Sequence, residues 1–247
     1  GAGGVTYWMA DWDAATRYYE ECVELRKEMD DTAGLAEALY NLSFVFALPP
    51  SPRRDLDRTL ELNAEALELY REVGDRRGEA KILWQIANIH LIRNEWQQCR
   101  ENSEKALEIF RDVDDRFSSG WALHSMGLAW IGLGDLDEAH TALTESLELF
   151  SGANDLTGIA LLLNDFSIIA LLTDDLERSV RLHAAALQAE RKSGQGLVTN
   201  YEGYVPWNPA SSRERLGDAT YERLFAEGES MSVEEAVAYA VPRDAGA

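Results

Sequence analysis

Cysteine is scarce in this 247-residue sequence, which contains only Cys22 and Cys99, and neither lies in a CxxC pair or a His/Cys cluster. A disulfide framework needs more cysteines, and a structural zinc site needs Cys or His ligands at closer spacing. The sequence therefore indicates neither of them. We expect both thiols to be small residues of the core. The sequence therefore predicts a fold that holds no metal and no cofactor.

Basic residues are also few, with 23 Lys plus Arg against 44 Asp plus Glu, which gives a formal net charge of −21. A surface this acidic repels phosphate backbones and anionic lipids, so we expect no nucleic-acid partner and no membrane partner for this segment. No apolar run approaches the roughly 20 residues that span a bilayer, and the start lacks a secretory signal, which favours a cytoplasmic location. The opening GAGG without Met is consistent with a piece of a longer protein.

Catalytic signatures are missing as well. The sequence contains no HExxH motif, no GxSxG motif and no GxxxxGK[ST] phosphate loop. Its four histidines, His90, His124, His140 and His183, do not occur in the order of a Ser/His/Asp triad with supporting context. The sequence therefore predicts a protein that is not an enzyme.

The main feature that is present is an internal repeat. The pattern Asp31-x-x-Gly34-x-Ala36 returns at Asp75, Asp115 and Asp155, in steps of 44, 40 and 40 residues. Each unit shows helical apolar spacing in two segments, and Asp is a good residue for beginning the first of them. Because a helix pair cannot bury its apolar side alone, successive pairs are expected to stack into an all-α solenoid. We predict repeats of about 40 residues over 1–190, and an aromatic loop with capping helices over 191–247.

These units resemble tetratricopeptide repeats, which implies a right-handed α-α superhelix. The family places a large and then a small residue in the first helix, and small residues where second helices cross their neighbours. The pairs that carry the resemblance are Leu39 with Ser43, Leu83 with Ala87, Leu123 with Gly127, Cys99 with Ala106, and Ala139 with Ser146.

A second resemblance rests on short sequence stretches along nearly the whole chain. Stretches such as GDRRGEAKILW and RLHAAALQAERKSGQG resemble the helical-repeat region of bacterial STAND-class and LuxR-type ATPase transcriptional regulators. This implies a binding or sensor arm that acts in signalling and transcription regulation. The alternative is a free-standing scaffold of the same fold for protein–protein interaction.

The register of the repeat also predicts a binding surface. Each repeat has a first and a second helix. When the repeats are aligned, equivalent positions of the first helices carry aromatic and polar residues, and in tetratricopeptide superhelices these positions line the concave groove. We name this set the inner wall: Tyr40, Asn41, Phe44, Lys81, Trp84, Gln85, Asn88, Trp121, His124, Ser125, Asn164 and Asp165. Aromatics supply contact area and amides supply orientation, which suits a protein, a peptide or a small effector.

Three alternatives stay open at this stage. The inner-wall side chains could instead bond one another across neighbouring helices and serve packing alone. A hydrolase could use His124 and Asp165 with Ser125 as nucleophile, if these side chains lie within hydrogen-bond reach. The apolar start, Val5, Tyr7, Trp8 and Met9, could pair with a second copy and form a homodimer.

Overall fold

The computed structural model describes residues 11–47, 54–194, 196, 198, 199 and 205–241, and the regular elements within them are helices. Val5 to Met9, on which the expected homodimer depends, lie outside the described residues. A 3₁₀ turn covers Pro209–Ser211. The α-helices are α1 Trp12–Glu28, α2 Thr32–Ala47, α3 Leu56–Glu72, α4 Arg76–Ile92, α5 Trp96–Asp112, α6 Arg116–Leu133, α7 Leu136–Ala153, α8 Leu156–Leu172, α9 Leu176–Ser193, α10 Ser212–Leu216, α11 Asp218–Glu229 and α12 Val233–Ala240.

Short turns between the helices follow one rule. A residue with left-handed backbone ends one helix, and the next residue caps the following helix. Gly74 (φ 72°) precedes Asp75, whose carboxylate accepts a hydrogen bond from the Gly78 amide at 2.9 Å. Asp and Asn replace Gly at most of these turns, because their short polar side chains tolerate the left-handed region. The left-handed residues at these turns are Asp30, Gly74, Asn94, Asp114, Gly134, Asn154 and Asp174.

Small residues set how closely the helices pack. A Cβ atom added to Gly127 on α6 would lie 2.5 Å from the Leu143 side chain on α7, and one added to Gly78 would lie 2.2 Å from the Tyr70 ring. Ala87 and Ala106, which the repeat register places at helix contacts, are completely buried. The stacked pairs form the predicted all-α, right-handed tetratricopeptide-like superhelix. No helix in the described part of the chain is long and apolar enough to cross a membrane.

The tail helices close the end of the solenoid. Helix α11 packs on α9 so tightly that a Cβ on Gly228 would lie 2.2 Å from the Arg181 carbonyl oxygen. Ser232 and Glu235 form a capping box at the start of α12. Gly217 occupies the cap position of α11, which begins at Asp218. The domain boundary at residue 190 stays a prediction.

A segment before these helices reaches back along the solenoid. The indole of Trp207 stacks on that of Trp96 at the start of α5, with ring centroids 5.5 Å apart. Val205 and Trp207 pack against the same apolar cluster that contains Leu161 and Ile168 of α8. The tail therefore covers α8, which is the first helix of the last repeat described.

Candidate binding wall on the first helices

The structure divides the inner wall by exposure. Its exposed part lies toward the α2 end of the solenoid, and its buried part toward the α8 end. Seven side chains are half-buried, and these are Tyr40, Asn41, Phe44, Lys81, Trp84, Asn88 and Trp121. Five are buried, and these are Gln85, His124, Ser125, Asn164 and Asp165.

Hydrogen bonds join the wall between α4 and α6. The indole Nε1 of Trp84 donates to the carbonyl oxygen of Trp121 and to the hydroxyl of Ser125, each at 3.2 Å. Ser125 in turn donates to Asn88 Oδ1 at 3.0 Å, and Asn88 Nδ2 donates to the Trp84 carbonyl at 3.0 Å. The two indole rings lie 6.3 Å apart in a tilted arrangement. This network fixes the orientation of the Trp84 ring.

Charge and aromatic contacts organise the wall between α2 and α4. The Lys81 ammonium lies 5.6 Å from the centre of the Tyr40 ring and 3.8 Å from a Glu37 carboxylate oxygen. Tyr40 and Phe44 meet edge to face at 5.0 Å. The Tyr70 hydroxyl donates to Glu37 at 2.6 Å. Two aromatic rings and a paired cation thus lie together in this part of the wall.

An acid and an imidazole are buried between α6 and α8. Nε2 of His124 lies 3.0 Å from Oδ2 of Asp165, and Asp165 is completely buried. Burial raises the pKa of the Asp165 carboxyl, although its contact with His124 opposes that shift. Oδ1 of Asp165 has no hydrogen-bond partner among the described residues. A buried charge is tolerated only beside such a partner, so this pair ties α6 to α8.

Asn164, next to Asp165, contacts the second helix of its own pair. Its Oδ1 lies 2.9 Å from Nδ1 of His183 on α9. Burial lowers the pKa of His183 to about 4, so its imidazole is neutral near pH 7 and Nδ1–H donates to the amide oxygen. Both residues therefore serve the contact between α8 and α9.

The expectation of an exposed wall is wrong for the five buried side chains. They bond across neighbouring helices, as the packing alternative supposed, and support the exposed part from behind. At α8 the physical reason is that apolar Leu161 and Ile168 replace Lys81 and Asn88 in the repeat register, and the tail adds cover. Whether the seven half-buried residues bind a partner stays a prediction.

The geometry for hydrolysis is present only in part. His124 and Asp165 are within reach of each other, but Ser125 is completely buried and its hydroxyl donates to Asn88. A nucleophile in that position has no path to a substrate. The described residues also contain no group of three His, Cys, Asp or Glu side chains placed to hold a metal ion.

One contributor to the wall was not predicted from the sequence. Tyr70 belongs to a second helix, outside the aligned first-helix positions, and its hydroxyl donates to Glu37, which also pairs with Lys81. A signal existed, because the stretch ALELY ends in an aromatic residue, as do ALEIF and SLELF in the following repeats. The other two aromatics, Phe110 and Phe150, are also buried.

Comparisons with known proteins agree with this fold. Residues 78–152 match the family model described as tetratricopeptide repeat. A Rap protein complexed with Competence and Sporulation Factor superposes with a TM-score of 0.66, at 14% identity, over 96% of this chain and 74% of that chain.

Two further solved structures are similar. BtubC (BKLC) from P. vanneervenii has a TM-score of 0.60 at 16% identity, over 93% of this chain and 89% of its own. The apo form of RapI has a TM-score of 0.59 at 18% identity, over 94% of each chain. No curated protein matches the chain significantly. At these identities the likeness establishes the fold and nothing beyond it.

Proposed function

We propose that this chain is a non-catalytic binding arm that recognises a peptide or protein segment on the half-buried part of its inner wall. The observation that carries the proposal is the aromatic shelf formed by Tyr40, Phe44, Trp84 and Trp121. All four side chains lie on one wall and are only half-buried, so they form a candidate contact surface for a partner.

The shelf has the chemistry of a recognition surface. Aromatic rings contribute contact area with few rotatable bonds, so little entropy is lost when a partner binds. Asn41, Lys81 and Asn88 lie among the rings and offer donors and acceptors for a peptide backbone. The hydrogen bonds of the Trp84 indole hold this ring in place before a partner arrives, and such preorganisation favours affinity.

The solved relatives support a protein ligand over a small effector. One Rap structure of the same fold is a complex with Competence and Sporulation Factor. The net charge of −21 further favours a neutral or basic partner and disfavours nucleic acid.

The resemblance to STAND-class and LuxR-type regulators places such an arm beside an ATPase in a cytoplasmic signalling protein that regulates transcription. Binding on the wall would then bias the ATPase and its effector. A free-standing scaffold is the second candidate. The tetratricopeptide match over residues 78–152 supports the scaffold and the regulator arm equally. The reading frame of the complete gene separates them, because a GxxxxGK[ST] motif beside this segment is expected only for the regulator.

The binding proposal is tested with a displayed library of random 12-residue peptides, selected against the chain. Selected peptides should lose about tenfold or more in affinity for Phe44→Ala, because a shelf aromatic acts as an anchor. Tyr18→Ala is the matched control, since Tyr18 is an exposed aromatic on α1 outside the wall. Thermal melts confirm that both variants fold. Equal affinity losses in both variants, or failure to select any peptide, would count against the proposal.

A further inference from the structure

A second concave surface lies away from the inner wall. It is a cleft of about 870 Å³ between α7 and α12, with the start of α8 as its floor. None of its residues belongs to the inner wall. They are Thr144, Leu147, Glu148, Ser151, Asn154, Leu156, Ile159, Lys192, Ser232, Val233, Glu234, Val237, Ala238 and Val241.

The cleft is bordered by two helical stripes. On the α12 side Val233, Val237 and Val241 recur every four residues, which aligns them along one face. Ala236 and Ala240 lie beside these valines on the same side of α12 and are buried, and the helix packs on α8 and α9. On the α7 side Leu147 and Ser151 keep the same spacing.

The floor and the rims of the cleft differ in polarity. Leu147 and Ile159 are buried at its base. Glu148 and Glu234 are exposed on opposite rims, and no ion pair joins either of them to a cation within the described ranges. The Oγ atom of Ser151 is buried and lacks a hydrogen-bond partner among the same residues. Lys192 is the one cation among the described residues that line the cleft. A bound group that offers an apolar face, positive flanks and one atom that hydrogen-bonds to Ser151 would satisfy these features.

We propose that this cleft binds an amphipathic α-helix of a partner protein, with its apolar face on the floor and basic residues against Glu148 and Glu234. The stretch from Val233 to Val241 extends about 12 Å, which matches about two turns of a bound helix. Apolar anchors at successive turns, set in a trough between two helices, form the helix-in-groove mode of recognition. The two rim carboxylates, within a chain of net charge −21, outweigh the lining cation Lys192 and favour a basic helix over an acidic one.

The test uses a fluorescent synthetic peptide with leucines on one helical face and lysines on the other. Its affinity for the chain is measured by anisotropy at physiological salt. A peptide of the same composition in permuted order has no apolar face and should bind at least about tenfold more weakly. Ala238→Trp, at an exposed site in the cleft, should block the helical peptide by a similar factor. Ala64→Trp is the matched control, because Ala64 is exposed on α3, away from the cleft.

Charge variants test the second half of the proposal. Replacing Glu148 and Glu234 together by Gln should weaken the peptide about fivefold, while the same change at exposed Glu65 and Glu108 should leave its affinity nearly unchanged. Equal effects of the cleft and control variants would show nonspecific attraction and overturn the proposal. So would equal binding of the two peptides. Conversion of a dimer into a monomer by Ala238→Trp, without peptide binding, would instead identify a second copy as the occupant and also overturn it.

Discussion

Trp84 donates a hydrogen bond from its indole nitrogen to the hydroxyl of Ser125 over 3.2 Å, and this contact links α4 to α6. One side of the ring system is tied to a buried residue of the next repeat, while another part remains in solvent. Trp84 therefore contributes both to the stacking of the helices and to the surface proposed for binding. Because Trp84 has these two roles, removing its hydrogen-bond donor and removing its ring should have different effects on the protein.

Trp84→Phe keeps most of the apolar area and removes the donor. Because Ser125 and the Trp121 carbonyl then lose a partner, we expect a cost of about 1 kcal/mol in the free energy of unfolding. Leu83→Ala, at the neighbouring core position, should cost about 2–5 kcal/mol because it opens a cavity. Urea unfolding of both variants measures the difference. A Trp84→Phe protein as stable as the parent would mean that the indole bonds contribute nothing to stacking.

Much of the fold could be predicted because the repeat register is carried by local chemistry. Asp75 and its counterparts begin helices through their own carboxylates, and Ala87 or Gly127 marks close helix contacts without reference to distant residues. The exposure of the inner-wall side chains could not be predicted from such local sequence features. Their burial at α8 depends on how tightly the superhelix winds and on where the tail returns, as Trp207 does on Trp96.

The candidate site was also limited by the direction of the sequence search. The aligned slots did identify residues that contact one another, such as Trp84 with Trp121. Tyr70 was not predicted, because its bond to Glu37 joins a second helix to a first one across 33 residues. The cleft beside α12 was missed for a similar reason, since its valines meet α7 only after the tail has folded back.

Two helical glycines offer a direct test of the repeat register. Gly127→Ala should destabilise the chain by about 1–3 kcal/mol, because the new Cβ would lie 2.5 Å from Leu143. Gly152→Ala on α7 is the matched control, as no atom lies within 4 Å of its added Cβ. There the better helix propensity of Ala should stabilise by up to about 1 kcal/mol. Thermal melts should move in opposite directions, and shifts of the same sign would contradict the packing described for α6 and α7.

The pairing of His183 with Asn164 predicts a specific dependence of stability on pH. Burial lowers the pKa of His183 to about 4 from its ordinary value of 6.5, so between these values the unfolded chain binds a proton that the folded chain does not. Stability from this residue is therefore complete above pH 6.5 and is lost as the pH falls toward 4. Over that interval the loss amounts to about 2–3 kcal/mol.

His183→Gln isolates this contribution, because Gln can still donate to the Asn164 amide oxygen but does not titrate. Urea unfolding at pH 7 and at pH 4.5 gives the pH-dependent loss for each protein. The parent should lose about 2 kcal/mol more than the variant, since the carboxylates are common to both proteins and their contributions cancel. Equal losses would mean that the imidazole is protonated in the folded state near its ordinary pKa. In that case burial between α8 and α9 would not disfavour the protonated imidazole, contrary to the surroundings described for His183.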